Sequence, residues 1–239
     1  MKVRGPFPGA HGPAAAAAIA AGFCDPVLDS QLAFRTLLHA MAEPGTIHDL
    51  KVTLGRPHGL GPAMAALALA LLDLDTPVWI GPGADAAAAT FVTFHTGAQV
   101  ALEPSAAAFA ILCDPLALPR LSAFAQGTLE YPDRSTTILV EVAGLQAGAG
   151  WALEGPGIPG RRHLAAEPLP GWLLDDLVAN RNRFPRGVDL VLCCGERIAG
   201  LPLTVGGSFT NSGTLTVGPG STLTAAGPFA QTAAGTTTF

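Results

Sequence analysis

The stretch GVDLVLCC, residues 187–194, constrains this chain more than any other. It is a continuous apolar run after its Asp, short enough for a strand and rich in β-branched and aliphatic residues. A strand of that kind belongs inside a sheet covered on both faces. Residues 60–72, LGPAMAALALALL, are apolar on every side of a helix, which requires a buried helix. Short strand-like runs (TIHDLKV, TPVWI, QVALEP, AFAILCD, STTILVEVAGL and WALEGPGI) are interleaved with helical patterns at ADAAAATFVTFHTG, DPLALPRLSAFAQG and GWLLDDLVANR. The expected fold is α/β: a layered mixed sheet with flanking helices.

The helix in PVLDSQLAFRTLLHAMAEPG is the most regular local signal. Asp29 or Ser30 is the expected cap, and Phe34, Leu37, Leu38 and Met41 form an apolar stripe at i, i+3, i+4 and i+7. Glu43-Pro44-Gly45 ends it, because proline disfavours helix at the residue before it. Arg35 and His39, four apart, share a face beside that stripe.

The pattern changes beyond Val205. GGSFTNSGTLTVGPGSTLTAAGPFAQTAAGTTTF alternates Thr with Leu or Val and breaks at Gly, Asn and Pro, as short β-solenoid rungs do. This length makes roughly two rungs, where about three are needed for stability, so the tail is not expected to fold alone. At the other end, MKVRGPFPGAHGPAAAAAIAAGF has a basic start and small residues, but prolines interrupt it and alanine replaces the leucine of a signal segment. The organisation expected is a flexible Ala/Pro-rich segment over 1–24, an α/β domain over 25–204, and an atypical Thr/Gly-rich tail over 205–239.

Composition limits the function. With 49% apolar and 13% charged residues, the chain builds a core but has little charge to cover it, which suits a surface covered by partners. The net charge is −5 and no basic stripe suggests nucleic acid. No segment approaches the ~20 strongly apolar residues of a membrane span. The cysteines, at 24, 113, 193 and 194, form no CxxC, and the adjacent pair points to opposite faces of a strand. They read as reduced thiols of a cytoplasmic protein.

Chemical motifs are few. The six histidines form neither HxH nor HxxxH, so no metal site is expected. GxSxG, GxxxxGK[ST] and GxGxxG are absent. Lysine occurs only at positions 2 and 51, which leaves a pyridoxal-phosphate enzyme without a well-placed Schiff-base residue. The positive candidate is RNRFPRG, where Arg181, Arg183 and Arg186 can clamp an anion bidentately. The competing reading has them cap the preceding helix and pair with Asp175, Asp176 or Asp189. Arg35, His39 and His95 form a second polar set.

Five stretches in order, DSQLAFRTLLHAMAEPG, TPVWI, FHTGA, LEGPGI and RFPRGVDLVLCCGERIAGLP, resemble the PhnH family, the H subunits of the bacterial carbon–phosphorus lyase system. The resemblance covers residues from about 25 to 204. It implies a fold similar to the large domain of pyridoxal-phosphate-dependent transferases, without the cofactor site. It implies a homodimer alone and a core complex with the G, I and J subunits. That system, classed among transferases and lyases, forms alpha-D-ribose 1-methylphosphonate 5-triphosphate from ATP and methylphosphonate. It later breaks the carbon–phosphorus bond with S-adenosylmethionine and an iron–sulfur cluster on the J subunit. The resemblance supplies no catalytic residue for the H subunit, so this chain is expected to act as a non-catalytic or co-catalytic subunit binding no cofactor itself. The alternative is a stand-alone enzyme or binding protein that holds phosphorylated ligands with its arginine cluster. The chain departs from the family at its end: Leu203 stands where the family has the arginine of Pro-Arg-Thr. The tail beyond resembles passenger repeats of autotransporter-type adhesins, so two unrelated sequences are expected to join near residue 204.

Overall fold

In a computed structural model, residues 19–55, 57–211, 214–216, 230–231 and 236–238 are described, with side chains up to Gly207. A six-stranded mixed sheet organises the chain. It contains β1 (His48–Asp49), β2 (Val78–Ile80), β3 (Phe109–Leu112), β4 (Thr137–Glu141), β7 (Asp189–Cys194) and β8 (Arg197–Leu201), in the order β1-β8-β7-β4-β3-β2. β2, β3, β4 and β7 run parallel, while β8 and β1 are antiparallel to their neighbours. β7 is central and its interior residues are buried on both sides, as the run GVDLVLCC requires.

Alternation along these strands divides the core. Ile111, Leu139, Val191, Cys193 and Ile198 face α1 (Pro26–Ala42), α2 (Pro62–Leu71) and α3 (Ala86–Thr96). Ala110, Leu112, Ile138, Val140, Leu190, Leu192 and Leu201 face the opposite way. There they meet α4 (Leu173–Arg181) and the antiparallel pair β5 (Gly144–Glu154) and β6 (Arg162–Glu167). β9 (Gly206–Asn211) extends that second sheet beside β5. The mixed α/β class and the layering agree with the sequence reading.

Local details differ from the sequence pattern. Asp25, not Asp29 or Ser30, caps α1: its Oδ1 accepts from the amides of Val27 and Leu28, and Pro26 starts the helix. The buried face of α1 is Ala33, Leu37 and Ala40, whereas Phe34 and Leu38 are about half exposed. The cause is the approach of α1 to β8. A β-carbon at Gly200 would sit 2.5 Å from the carbonyl oxygen of Ala40, so only small residues fit between helix and strand. QVALEP makes a single bridge, Val100 to Val78, and DPLALPRLSAFAQG becomes two 3-10 turns separated by Pro119. β6 and β8 were not read from the sequence. Both are short, and their apolar residues are too few to stand out from the flanking Gly and Arg.

The ends of the domain are tied down by backbone pairing. Cys24 N donates to Thr53 O and Gly55 N to Ala21 O, so the chain joins the fold from about residue 20, inside the segment expected to be loose. Most of that expected flexible segment, residues 1–18, lies outside the described residues. In the tail, β10 (Thr214–Thr216) pairs in parallel with β12 (Thr236–Thr238), and β11 (Ala230–Gln231) in parallel with β9. The remainder of the expected solenoid lies outside the described residues.

Gly200→Ala is expected to lower stability by about 1–3 kcal/mol, because the methyl group forces α1 away from β8. A urea melt with an unchanged slope and a lower midpoint checks this. An unchanged midpoint would mean that α1 does not press on β8 this closely.

Candidate functional site

In open α/β sheets, ligands bind beyond the carboxyl ends of the parallel strands. Here that edge is built by Glu141 at the end of β4, Cys113 after β3 and Cys193 on β7. Glu141 pairs in register with Cys193, and Cys113 follows the Leu112–Val140 pair, so the three side chains stand in a row. Strand spacing puts the two thiols roughly 10 Å apart, too far for a disulfide.

The N-terminus of α2 closes this edge. Its N-cap is Gly61, which has no side chain to satisfy the first turn, and Pro62 follows. The Glu141 carboxyl group lies against this helix end. It lies so close to Gly61 that a β-carbon there would run into it, and the amides of Gly61 and Gly195 approach it. Ala63 N donates 2.9 Å to Gly195 O and locks the same helix end to the β7–β8 turn. Glu141 Oε2 is buried without a hydrogen-bond partner. Burial pushes the carboxyl up to about 7, against the pull of the two amides. Burial also pushes the Cys113 thiol up to about 11, with the Glu141 charge as the second cause, and burial raises the Cys193 thiol well above its ordinary value. These thiols are protonated and unreactive near neutrality. The sequence signal for this arrangement was the single acid inside STTILVEV, and it was not read.

His58 and Asp85 pair at the rim. Asp85 also caps α3 through the Ala88 amide, 2.8 Å from Oδ1. That amide first, then His58, holds its carboxyl below the ordinary value. His58 is largely exposed. Among those residues no cluster of His, Cys, Asp and Glu could hold a metal ion.

The two polar sets read from the sequence fall in separate places. Arg35 and His39 are exposed on α1 among Val27, Leu28, Leu32, Phe34 and Leu38, all at least partly exposed. His95 is engaged elsewhere. Its Nε2 is 2.9 Å from Ala20 O, and its ring packs on Phe91 and Phe94 with centroids 4.6 and 5.1 Å away. Arg181 ends α4, and Arg183 and Arg186 follow it. Two of the three acids expected as their partners are engaged elsewhere: Asp176 is held by Arg120 and the Leu121 amide, and Asp189 accepts from Leu203 N. Arg183 donates to the neutral Gln126 at 2.8 Å. Arg181 lines a cleft together with Arg161, a residue the sequence did not single out.

The class defined by this geometry is a mixed α/β domain whose usual ligand edge is sealed by its own carboxylate, with an uncompensated arginine surface elsewhere. Residues 21–206 match the family model for the bacterial phosphonate metabolism protein PhnH, and the chain belongs to that family. It is 44% identical over 183 residues to the alpha-D-ribose 1-methylphosphonate 5-triphosphate synthase subunit PhnH of Rhizobium meliloti (strain 1021), covering 76% of this chain and 92% of that one. It is 37% identical over 89 residues to the putative C-P lyase subunit protein HtxG of Stutzerimonas stutzeri, covering 37% and 43% of the two chains.

The Glu141 carboxyl makes stability depend on pH. Its folded value lies above the ordinary 4.5, so the stability it contributes is full below about 4.5 and is lost as pH rises towards about 7. Glu141→Gln removes this titration. The stability of the variant relative to the parent should rise between pH 5 and pH 8 by roughly 2 kcal/mol, after discounting for the solvent that reaches part of the group. Denaturant melts across that range check the sign; a flat difference would show that Glu141 does not titrate there.

Proposed function

We propose that this chain is a subunit of the carbon–phosphorus lyase core complex. It supports formation of alpha-D-ribose 1-methylphosphonate 5-triphosphate from ATP and methylphosphonate and has no turnover of its own. The observation that carries the reading is the 44% identity to a synthase subunit across 92% of that relative. The partners are the G, I and J subunits, and alone the chain forms a homodimer. It works in the cytoplasm; no helix among the described residues is long and apolar enough to cross a membrane.

The structure supports this in two ways. The edge where an α/β enzyme would bind substrate is filled by Glu141 and Gly61, which favours a supporting role over catalysis. A similarity to the large domain of pyridoxal-phosphate-dependent transferases fits the central parallel strands. In this reading the chain holds no pyridoxal phosphate, and ATP, S-adenosylmethionine and the iron–sulfur cluster belong to the assembled system. Lys51 supports that: it is exposed, beyond β1 at the outer end of the sheet.

The second support is α1. A helix that leaves Val27, Leu28, Phe34 and Leu38 at 66, 62, 46 and 51% exposure presents an apolar face that water does not favour. A protein partner that covers this face gains the hydrophobic contribution that the fold itself does not use.

Co-expression with the cognate G, I and J subunits, followed by purification on this chain, is expected to return a stoichiometric complex. Phe34→Asp with Leu38→Asp should abolish recovery while the isolated chain melts within a few degrees of the parent, because both side chains already face water. Recovery of the double variant at the parent's ratio would remove α1 as the docking face. A parent chain that comes out alone, both full length and truncated after Asn211, would overturn the subunit reading.

A further inference from the structure

We propose that the cleft between the C-terminal end of α4 and the β5–β6–β9 sheet binds a phosphate- or diphosphate-bearing small molecule through Arg161 and Arg181. The proposal concerns the chain's own ligand and stands apart from its assembly with partners.

The cleft encloses about 330 Å³ and is lined by Glu154, Arg161, Val178, Arg181 and the backbone of Gly206 and Gly207. That volume is at the lower end for ligand sites and suits a phosphoryl or diphosphoryl group rather than a large apolar molecule. The two guanidiniums are held in different ways. Arg161 Nε donates to Glu154 Oε1 at 2.6 Å and Nη2 forms an ion pair with the same oxygen at 2.6 Å, which leaves Nη1 without a partner on that carboxylate. Arg181 makes no side-chain hydrogen bond or ion pair among the described residues. It lies across Gly206, where a β-carbon would be 3.1 Å from both Cδ and Nη1. The absence of a side chain at Gly206 therefore sets the depth of the cleft and the seat of the guanidinium.

The charge count favours an anion. Asp176 and Asp189 are bound elsewhere, as described above, and Asp175 lies six residues before Arg181, about 9 Å back along the helix. Arg183 has only the neutral Gln126, and no carboxylate among the described residues meets Arg186. The carbonyl end of α4 offsets roughly half a charge and Glu154 one. Arg161 and Arg181, the two cations of the lining, outweigh both, with Arg183 and Arg186 further along the chain adding positive charge beyond the cleft. A guanidinium fork with free donors matches phosphate oxygens in geometry as well as charge.

Isothermal titration of the full chain with inorganic pyrophosphate at low salt tests this directly. The expected result is saturable binding with one site per chain. Arg181→Ala should weaken it at least tenfold and Arg161→Ala severalfold, while Arg181→Lys should recover only part, because lysine keeps the charge but not the fork. Arg134→Ala, which removes a guanidinium stacked on Tyr131 away from the cleft, should change affinity less than twofold. No saturable binding would overturn the proposal. So would an Arg134→Ala loss equal to that of Arg181→Ala, since the attraction would then be diffuse. Complex formation with partner subunits is not read by this titration, so either conclusion can fail without the other.

Discussion

The packing of β4 and β7 side by side at the centre of the sheet is the constraint on which the other parts depend. Their side chains alternate strictly, with Leu139 and Val191 sent to one layer and Ile138, Val140, Leu190 and Leu192 to the other. Helices must therefore cover one face, and α4 with the second sheet the other. With both faces of the sheet covered, its strand ends form the edges that a ligand could approach. The carboxyl edge is the one where α/β proteins ordinarily place a ligand. Here Glu141 projects from β4 to the N-cap of α2, where its carboxyl group lies against the bare backbone of Gly61. It stands near the place a bound anion would take at a helix N-terminus. One of its oxygens is buried there without a partner.

Much of this architecture was legible because periodicity reports burial. GVDLVLCC, LGPAMAALALALL and STTILVEV became β7, α2 and β4 with little change. The misreading of α1 has a specific cause. Pattern analysis takes the bulkiest apolar residues as the core face, but a helix packed closely on a glycine-bearing strand buries its smallest residues. Ala33 and Ala40 lie inward, Ala40 against Gly200, and Phe34 and Leu38 are turned outward. The expected stripe is therefore split: Leu37 and Met41 pack on the core, while Phe34 and Leu38 mark an exposed surface. β6 and β8 escaped notice for a different reason. Strands of five or six residues with Gly or Arg inside them carry too few alternations to be told from loops.

The candidate sites divide along the same lines. The arginines of RNRFPRG were legible as a group, since three guanidiniums in seven residues stand out on an acidic chain. What the sequence could not supply was the state of the nearby acids. Asp176 is taken by Arg120, 56 positions before it in the chain, and Asp189 by a backbone amide 14 residues away. Pairings of that range depend on the folded topology, and no local spacing encodes them. Arg161 joins Arg181 for the same reason, through the meeting of β6's approach with the end of α4. His95 shows the opposite case: a histidine at a helix end read as a possible ligand-binding group is held by Ala20 O and two phenyl rings.

The two surfaces left for function lie on opposite faces of the six-stranded sheet. α1 belongs to the layer built on Ile111, Leu139 and Val191, and α4 to the layer built on Ile138, Val140 and Leu190. A partner seated on the apolar side of α1 is thus separated from the Arg161–Arg181 cleft by the full thickness of the sheet. The chain can be held in an assembly through α1 while its arginines stay open to solvent or to an anionic ligand. In the proposed reading, with the carboxyl edge filled by Glu141, binding falls to the outer faces of the two layers.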